Sequence, residues 1–235
     1  LKKEKHQWDT LIETQIEHLI KSEGNVFLLE KNLLALQNFK NTVLRSAKIL
    51  FEYIQENQWE FLASEMELRE KLEIPMLGYA DLVLVRRDEA VIVDMKWGGY
   101  GRRRDDLARD SDLQLLIYHQ LLAERKAYKK IHVAYFILSS AKMLARNKAA
   151  FKNSIAVGIG NEEENRKVVW RKMQSTYVQR LDEIAAGNIE EGAGAVLTDL
   201  ESPVWDTSTE QFLVLSTASK KPTDPYSNYK KITAE

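Results

Sequence analysis

Two apolar runs constrain this chain more than any other feature. Leu77–Val85 (LGYADLVLV) and Ala90–Trp97 (AVIVDMKW) flank the polar link Arg86-Arg87-Asp88-Glu89. Two β-rich runs around a short polar link predict an antiparallel hairpin. Leu82, Val83, Leu84, Val91, Ile92 and Val93 make both strands apolar on both faces. Such a hairpin belongs in the middle of a fold, covered on two sides.

Three charges interrupt it. Asp94 and Lys96 are two residues apart on a strand, so they share a face. If residues 86–89 form the loop, Val85 faces Ala90, and counting outward places Asp81 opposite Asp94. Opposed residues have Cβ atoms about 4.5–5.5 Å apart. Two carboxylates that close repel each other and need a shared proton, solvent or a cation. A divalent cation with oxygen ligands meets that need, and Lys96 adds a positive donor beside it. The plain alternative is an Asp-x-Lys strand with one face in water. The apolar company of these charges argues against it, because a buried charge is costly without a partner.

Around the hairpin the chain reads as an ordered series of elements. Trp8, Leu11, Ile12, Ile16, Leu19 and Ile20 recur at helical spacing, and Gly24-Asn25 ends that helix. A second helical stretch covers about residues 27–55, either as one helix or as two with a bend. Residues 59–69 read as a strand before the hairpin. A glycine-rich loop then leads to Arg102-Arg103-Arg104, and a helix starts at Ser111. Ile131–Leu138 is the most strand-like run, Ser154–Ile159 a further short strand, and residues 162–186 a long helix. The order predicts an α/β (α+β) chain: a mixed sheet with helices on both faces. It divides into an N-terminal helical segment (1–57) packed on a core (58–200), followed by an irregular tail (201–235). Three of the four prolines lie in that tail, where Trp205 and Phe212–Leu215 are the residues expected to dock.

Composition removes whole classes of function. The 235 residues contain no cysteine, which excludes disulfides, thiolate metal sites and a cysteine nucleophile. No run approaches the ~18 apolar residues of a membrane span, and Leu1–Lys5 is not followed by a signal-peptide core. A cytoplasmic location without membrane contact is the expectation. The chain starts at Leu1, which fits a piece of a longer protein. Lys and Arg total 34 and Asp and Glu 35, a formal net charge of -1. That total says little about nucleic acid, because local charge decides binding.

Gly78-Tyr79-Ala80-Asp81, then Asp94-Met95-Lys96, then Gln114-Leu115-Leu116-Ile117-Tyr118 together resemble the RecB-like branch of the PD-(D/E)XK nuclease superfamily. That branch has a G-x-x-D strand, a D-x-K strand and a following Q-x-x-x-Y helix, and all three occur here in order, over about residues 60–140. The resemblance implies a restriction-endonuclease-like fold and metal-dependent hydrolysis of DNA. It implies that Asp81, Asp94 and the Met95 carbonyl bind Mg²⁺ or Mn²⁺. Lys96 would orient or activate the attacking water and stabilise charge on the phosphate. Gln114 and Tyr118, four apart on one helix face, would line the site. For Gln114 there is another reading, a capping box over Ser111–Gln114; Tyr118 could equally be a core aromatic.

The same resemblance calls for an upstream acidic residue, for which Glu65 is chosen over Glu67, and in many members for a helical histidine, for which His18 is the candidate. The iron–sulfur cluster of some relatives needs cysteines and is not expected here. DNA is the implied partner, and a helicase domain or subunit a further one. The rival expectation is a nuclease fold without activity, serving as a DNA-binding or docking module.

Arg102-Arg103-Arg104 follows the D-x-K strand closely. A basic loop there would contact phosphates, an interaction that is sequence-independent and salt-sensitive; Arg86, Arg87 and Arg109 would widen it. Gly98-Gly99-Tyr100-Gly101 lacks the spacing and lysine of a nucleotide-binding loop.

Overall fold

The hairpin lies inside a six-stranded sheet. The computed structural model describes residues 4–24, 29, 32–71, 75–108, 112–158, 160–187, 204–206 and 211–213. Its elements are α1 (Glu4–Ser22), α2 (Leu33–Glu56), β1 (Glu60–Lys71), β2 (Pro75–Arg86), β3 (Glu89–Lys96), α3 (Tyr100–Ala108), α4 (Leu113–Glu124), β4 (Lys130–Ile137), a 3₁₀ turn (Leu138–Ser140), β5 (Lys142–Ala145), β6 (Ile155–Ala156), α5 (Glu162–Ala185), β7 (Val204–Asp206) and β8 (Gln211–Leu213). The sheet order is β1-β2-β3-β4-β5-β6. β3 and β4 pair parallel, as do β5 and β6, and the other pairs are antiparallel. This is the mixed sheet with helices on both faces that a restriction-endonuclease-like fold requires.

Alternation along β3 sends its side chains to two separate layers. Ala90 and Ile92 join Val83, Tyr135 and Ile137 under Leu115, Leu121 and Leu122 of α4. Val91 and Val93 join Leu82, Leu84, Phe136 and Phe151, and Ile49, Leu50, Tyr53 and Ile54 of α2 pack on that layer. Each such side chain contributes about 1.5–3 kcal/mol when fully buried, so β3 is fixed from both sides. Buried Asn57 locks the end of α2 to the sheet: its amide donates to the Tyr53 carbonyl at 2.8 Å and accepts from the Lys152 N–H at 2.9 Å.

Val85 does face Ala90, and the ladder runs from Arg86↔Glu89 to Leu82↔Val93. The link is tighter than expected. Arg86 and Glu89 are paired, with an ion pair at 2.6 Å, which leaves a two-residue turn. Arg87 sits there at φ 56°. Three further differences concern local structure. Arg102–Arg104 lie on α3 and not on a loop. The 142–156 region holds two short strands, β5 and β6, where one was expected. Within the tail, Trp205 pairs with Phe212 in a small hairpin whose β8 contacts α5. Ser111 and Arg109 lie outside the described residues, as do the stretches 25–28, 30–31 and most of 201–235. Among the described residues no helix is long and apolar enough to cross a membrane.

Candidate active site

Asp94 ends the buried stretch of β3, with 1% of its surface exposed. Its face is that of Ala90 and Ile92, toward α3 and α4. Both carboxylate oxygens are buried, and among the described residues Oδ1 has no hydrogen-bond partner. Lys96 Nζ stands 2.8 Å from Oδ2 as an ion pair, its side chain a quarter exposed. Burial pushes the Asp94 carboxyl above the ordinary range; Lys96 opposes that rise, and the nearby charges of Asp81 and Asp112 add to it. A carboxylate held this way is poised for a further cation.

Asp81 is the next residue after the last β2–β3 rung, opposite Asp94. Its Oδ2 accepts a hydrogen bond from the Met95 N–H at 2.6 Å. The side chain therefore replaces a ladder partner where the two strands part, which holds its carboxylate at the end of β3. Ala80 and Val83 pack in the same layer, so the inside–outside alternation of β2 slips across this position.

The Q-x-x-x-Y helix is α4. Gln114 Nε2 donates to the Tyr118 hydroxyl at 3.1 Å. Tyr118 packs in the same layer as Ala90 and Ile92 and lies over Gly78 of β2, where an added Cβ would stand 2.6 Å from its Cε1. The expected capping box is displaced by one residue: Asp112 is the N-cap and accepts from the Leu115 N–H at 2.9 Å. Gln114 is thus free of a capping role. The G-x-x-D strand, the D-x-K strand and the Q-x-x-x-Y helix meet on one face of the sheet.

A family model for the PD-(D/E)XK nuclease superfamily matches residues 2–194. The chain belongs to that superfamily. A comparison with curated proteins finds no match. The match spans the whole six-stranded sheet and all five α-helices, well beyond the three short motifs. PD-(D/E)XK nucleases generally use divalent cations such as Mg²⁺. The residues present fit such an ion. The donors are hard carboxylate oxygens, two of them buried on Asp94, of which Oδ1 has no hydrogen bond. Mg²⁺ is commonly held by one or two carboxylates together with substrate oxygens.

Among the described residues, no group of three His, Cys, Asp or Glu side chains gathers to hold a metal ion. Asp81 and Asp94 therefore stand as a pair, without a third carboxylate or histidine beside them among the described residues. Glu65 lies in their row across the sheet, between the Ser64↔Leu82 and Met66↔Ala80 pairs, but it is exposed in a left-handed conformation at φ 47°. His18 is exposed on α1, which packs on α2. The structure brings neither to the carboxylate pair.

Sequence reasoning missed the second layer of charge. Tyr135 is the β4 partner of Asp94, and its hydroxyl donates to the Asp112 carboxylate. Burial raises the pKa of Asp112, against the Tyr135 hydroxyl and the Leu115 N–H. Arg103 lies over the Tyr135 ring at 5.2 Å and stands 3.8 Å from buried Asp106. Asp112 thus joins the start of α4 to the strand beside Asp94. No spacing rule links positions 112 and 135; only the parallel pairing of β3 with β4 brings them together.

Arg102 and Arg104 are more exposed than Arg103, with Arg102 3.7 Å from Asp106 and Arg104 2.8 Å from Asp105. A cleft of about 760 Å³ between α4 and α5 is lined by His119, Lys129, His132, Arg166 and Arg171. It opens at the start of β4, away from the end of β3 that carries Asp94 and Lys96.

Proposed function

We propose that this chain is a metal-dependent deoxyribonuclease of the RecB-like branch. The observation that carries the reading is the buried Asp94 carboxylate, set opposite Asp81, with Lys96 2.8 Å from Oδ2 and no hydrogen bond at Oδ1. Asp81, Asp94 and the Met95 carbonyl would hold Mg²⁺ or Mn²⁺. When bound, the ion supplies Lewis acidity at the phosphodiester and activates water. Lys96 directs its ammonium at the same place, where it orients the attacking water and takes up charge on the phosphate oxygens. Gln114 and Tyr118 wall the site from the α4 side and exclude solvent. Arg102, Arg103 and Arg104 contribute phosphate contacts from α3. The P–O bond to the leaving oxygen breaks as the bond from water forms. The motif pattern also supports work beside a helicase, in DNA repair or recombination.

The test is cleavage of end-labelled linear and closed circular DNA with Mg²⁺, with Mn²⁺ and with EDTA. The proposal expects cation-dependent loss of the linear substrate. Resistance of the closed circle would identify an exonuclease, and its cleavage an endonuclease. No cleavage of either DNA with either cation would contradict the proposal.

A further inference from the structure

Trp97 follows Lys96 directly and is 50% exposed. Its ring stacks on Phe39 of α2, with centroids 5.5 Å apart and planes 20° from parallel. The backbone beneath it is fixed: its carbonyl accepts from the Ser139 N–H at 2.9 Å, and the Ser139 carbonyl accepts from Arg45 at 2.5 Å. An indole held rigidly, supported on one face and half in water, is a poor way to fill a core and a good way to receive a flat ring.

Two exposed cations stand at this end of the strands, one on each face of the sheet. One is Arg45. The other is Lys142, which lies 4.8 Å from the Tyr100 ring centre. The register Lys96↔Ile137↔Lys142 places Lys142 two strands from Lys96, about 10 Å away. Among the described residues neither is matched to a carboxylate. Unmatched cations beside an aromatic platform fit a chain of phosphates carrying flat bases. A duplex keeps its base faces stacked inside; only an unpaired strand offers them.

We propose that Trp97 is a base-stacking platform that makes the site select single-stranded DNA: an unpaired base rests on the indole with a flanking phosphate on Arg45, and the strand crosses the end of β3 to reach Lys96 and Lys142 on the other face. The inference rests on the nuclease reading of Asp81, Asp94 and Lys96. It adds to that reading a residue that sets strand selection.

The test reads binding in EDTA, independently of cleavage, by anisotropy and by quenching of tryptophan fluorescence. The full chain, Trp97→Ala and Trp97→Phe are titrated with an oligothymidylate and with a blunt duplex. Base–aromatic stacking is worth about 1–3 kcal/mol per base, so Trp97→Ala should weaken oligothymidylate binding by roughly 5- to 150-fold. Duplex binding should not change. Trp97→Phe should keep the affinity and lose the Trp97 share of the quench. Should the alanine variant fail to fold, that pairing in the phenylalanine variant decides the question. Undiminished binding by Trp97→Ala, an equal loss for both DNAs, or no oligothymidylate binding by the wild type would overturn the platform. A protein that binds as expected yet cuts nothing with Mg²⁺ or Mn²⁺ would instead overturn the nuclease reading.

Discussion

Gly78 and Tyr118 fit each other: a Cβ on Gly78 would stand 2.6 Å from Cε1 of Tyr118. The glycine of one motif is thus the space occupied by the tyrosine of another, and the pair sets how closely α4 approaches β2. Gly78→Ala should destabilise the protein by about 1–3 kcal/mol through overpacking. Tyr118→Leu should relieve most of that loss, giving a clear coupling energy in a double-mutant cycle followed by urea unfolding. Additive effects of the two substitutions would separate the residues.

The buried Asp94 carboxylate is costly to the fold. Lys96 meets Oδ2 alone, Oδ1 has no hydrogen bond, and burial raises its pKa. Asp94→Asn should therefore raise the melting temperature in EDTA, by on the order of 1 kcal/mol in stability. Mg²⁺ should raise the melting temperature of the wild type, by about 2.7 kcal/mol at a hundredfold excess over Kd, and not that of the variant. Thermal melts with and without Mg²⁺ check both statements.

The exposed arginines of α3 can be removed without touching the buried Arg103–Tyr135 contact. Arg102→Ala with Arg104→Ala should weaken DNA binding at every sequence. The slope of log K against log salt should flatten by about 0.7–0.9 for each phosphate that is no longer neutralised. An unchanged slope would remove these side chains from the DNA path.

His119 gives the protein a pH dependence of its own. Burial first, then Arg166 and His132, push its pKa down from 6.5 to about 3. Above pH 6.5 the imidazole is neutral in both folded and unfolded chains. Between there and about 3 the unfolded chain binds a proton that the native chain does not. Stability should therefore fall as the pH is lowered through this window, by at most about 1.4 kcal/mol per unit from this group. Urea unfolding across the window should show a shallower loss for His119→Gln than for the wild type.

The parts of the fold legible in the sequence are those whose cause is local. The hairpin register follows from apolar alternation and a short link, so Val85↔Ala90 and the placing of Asp81 beside Asp94 could be counted out. α3 could not. Its glycine-rich start reads as a loop, and its helical state is supported by the Arg102–Asp106 and Arg103–Asp106 pairs and by the burial of Leu107. β5 is four residues long, too short for alternation to show. Asp112 and Tyr135 meet only through tertiary structure, so the charge layer behind Asp94 had no sequence signal. Glu65 and His18 are residues of the right type that stand apart from the carboxylate pair, one exposed in a left-handed conformation and one on a separate helix.

We propose that Asp94, beside Asp81 and Lys96, makes this site a cation-dependent nuclease. The most direct measurement is the rate of linear DNA cleavage with Mg²⁺ by the wild type and by Asp94→Ala, purified side by side and shown by circular dichroism to be folded alike. The wild type should cleave in a reaction that EDTA stops, and Asp94→Ala should show no detectable cleavage. Equal cleavage by the two proteins, or none by the wild type with Mg²⁺ or Mn²⁺, would contradict this proposal.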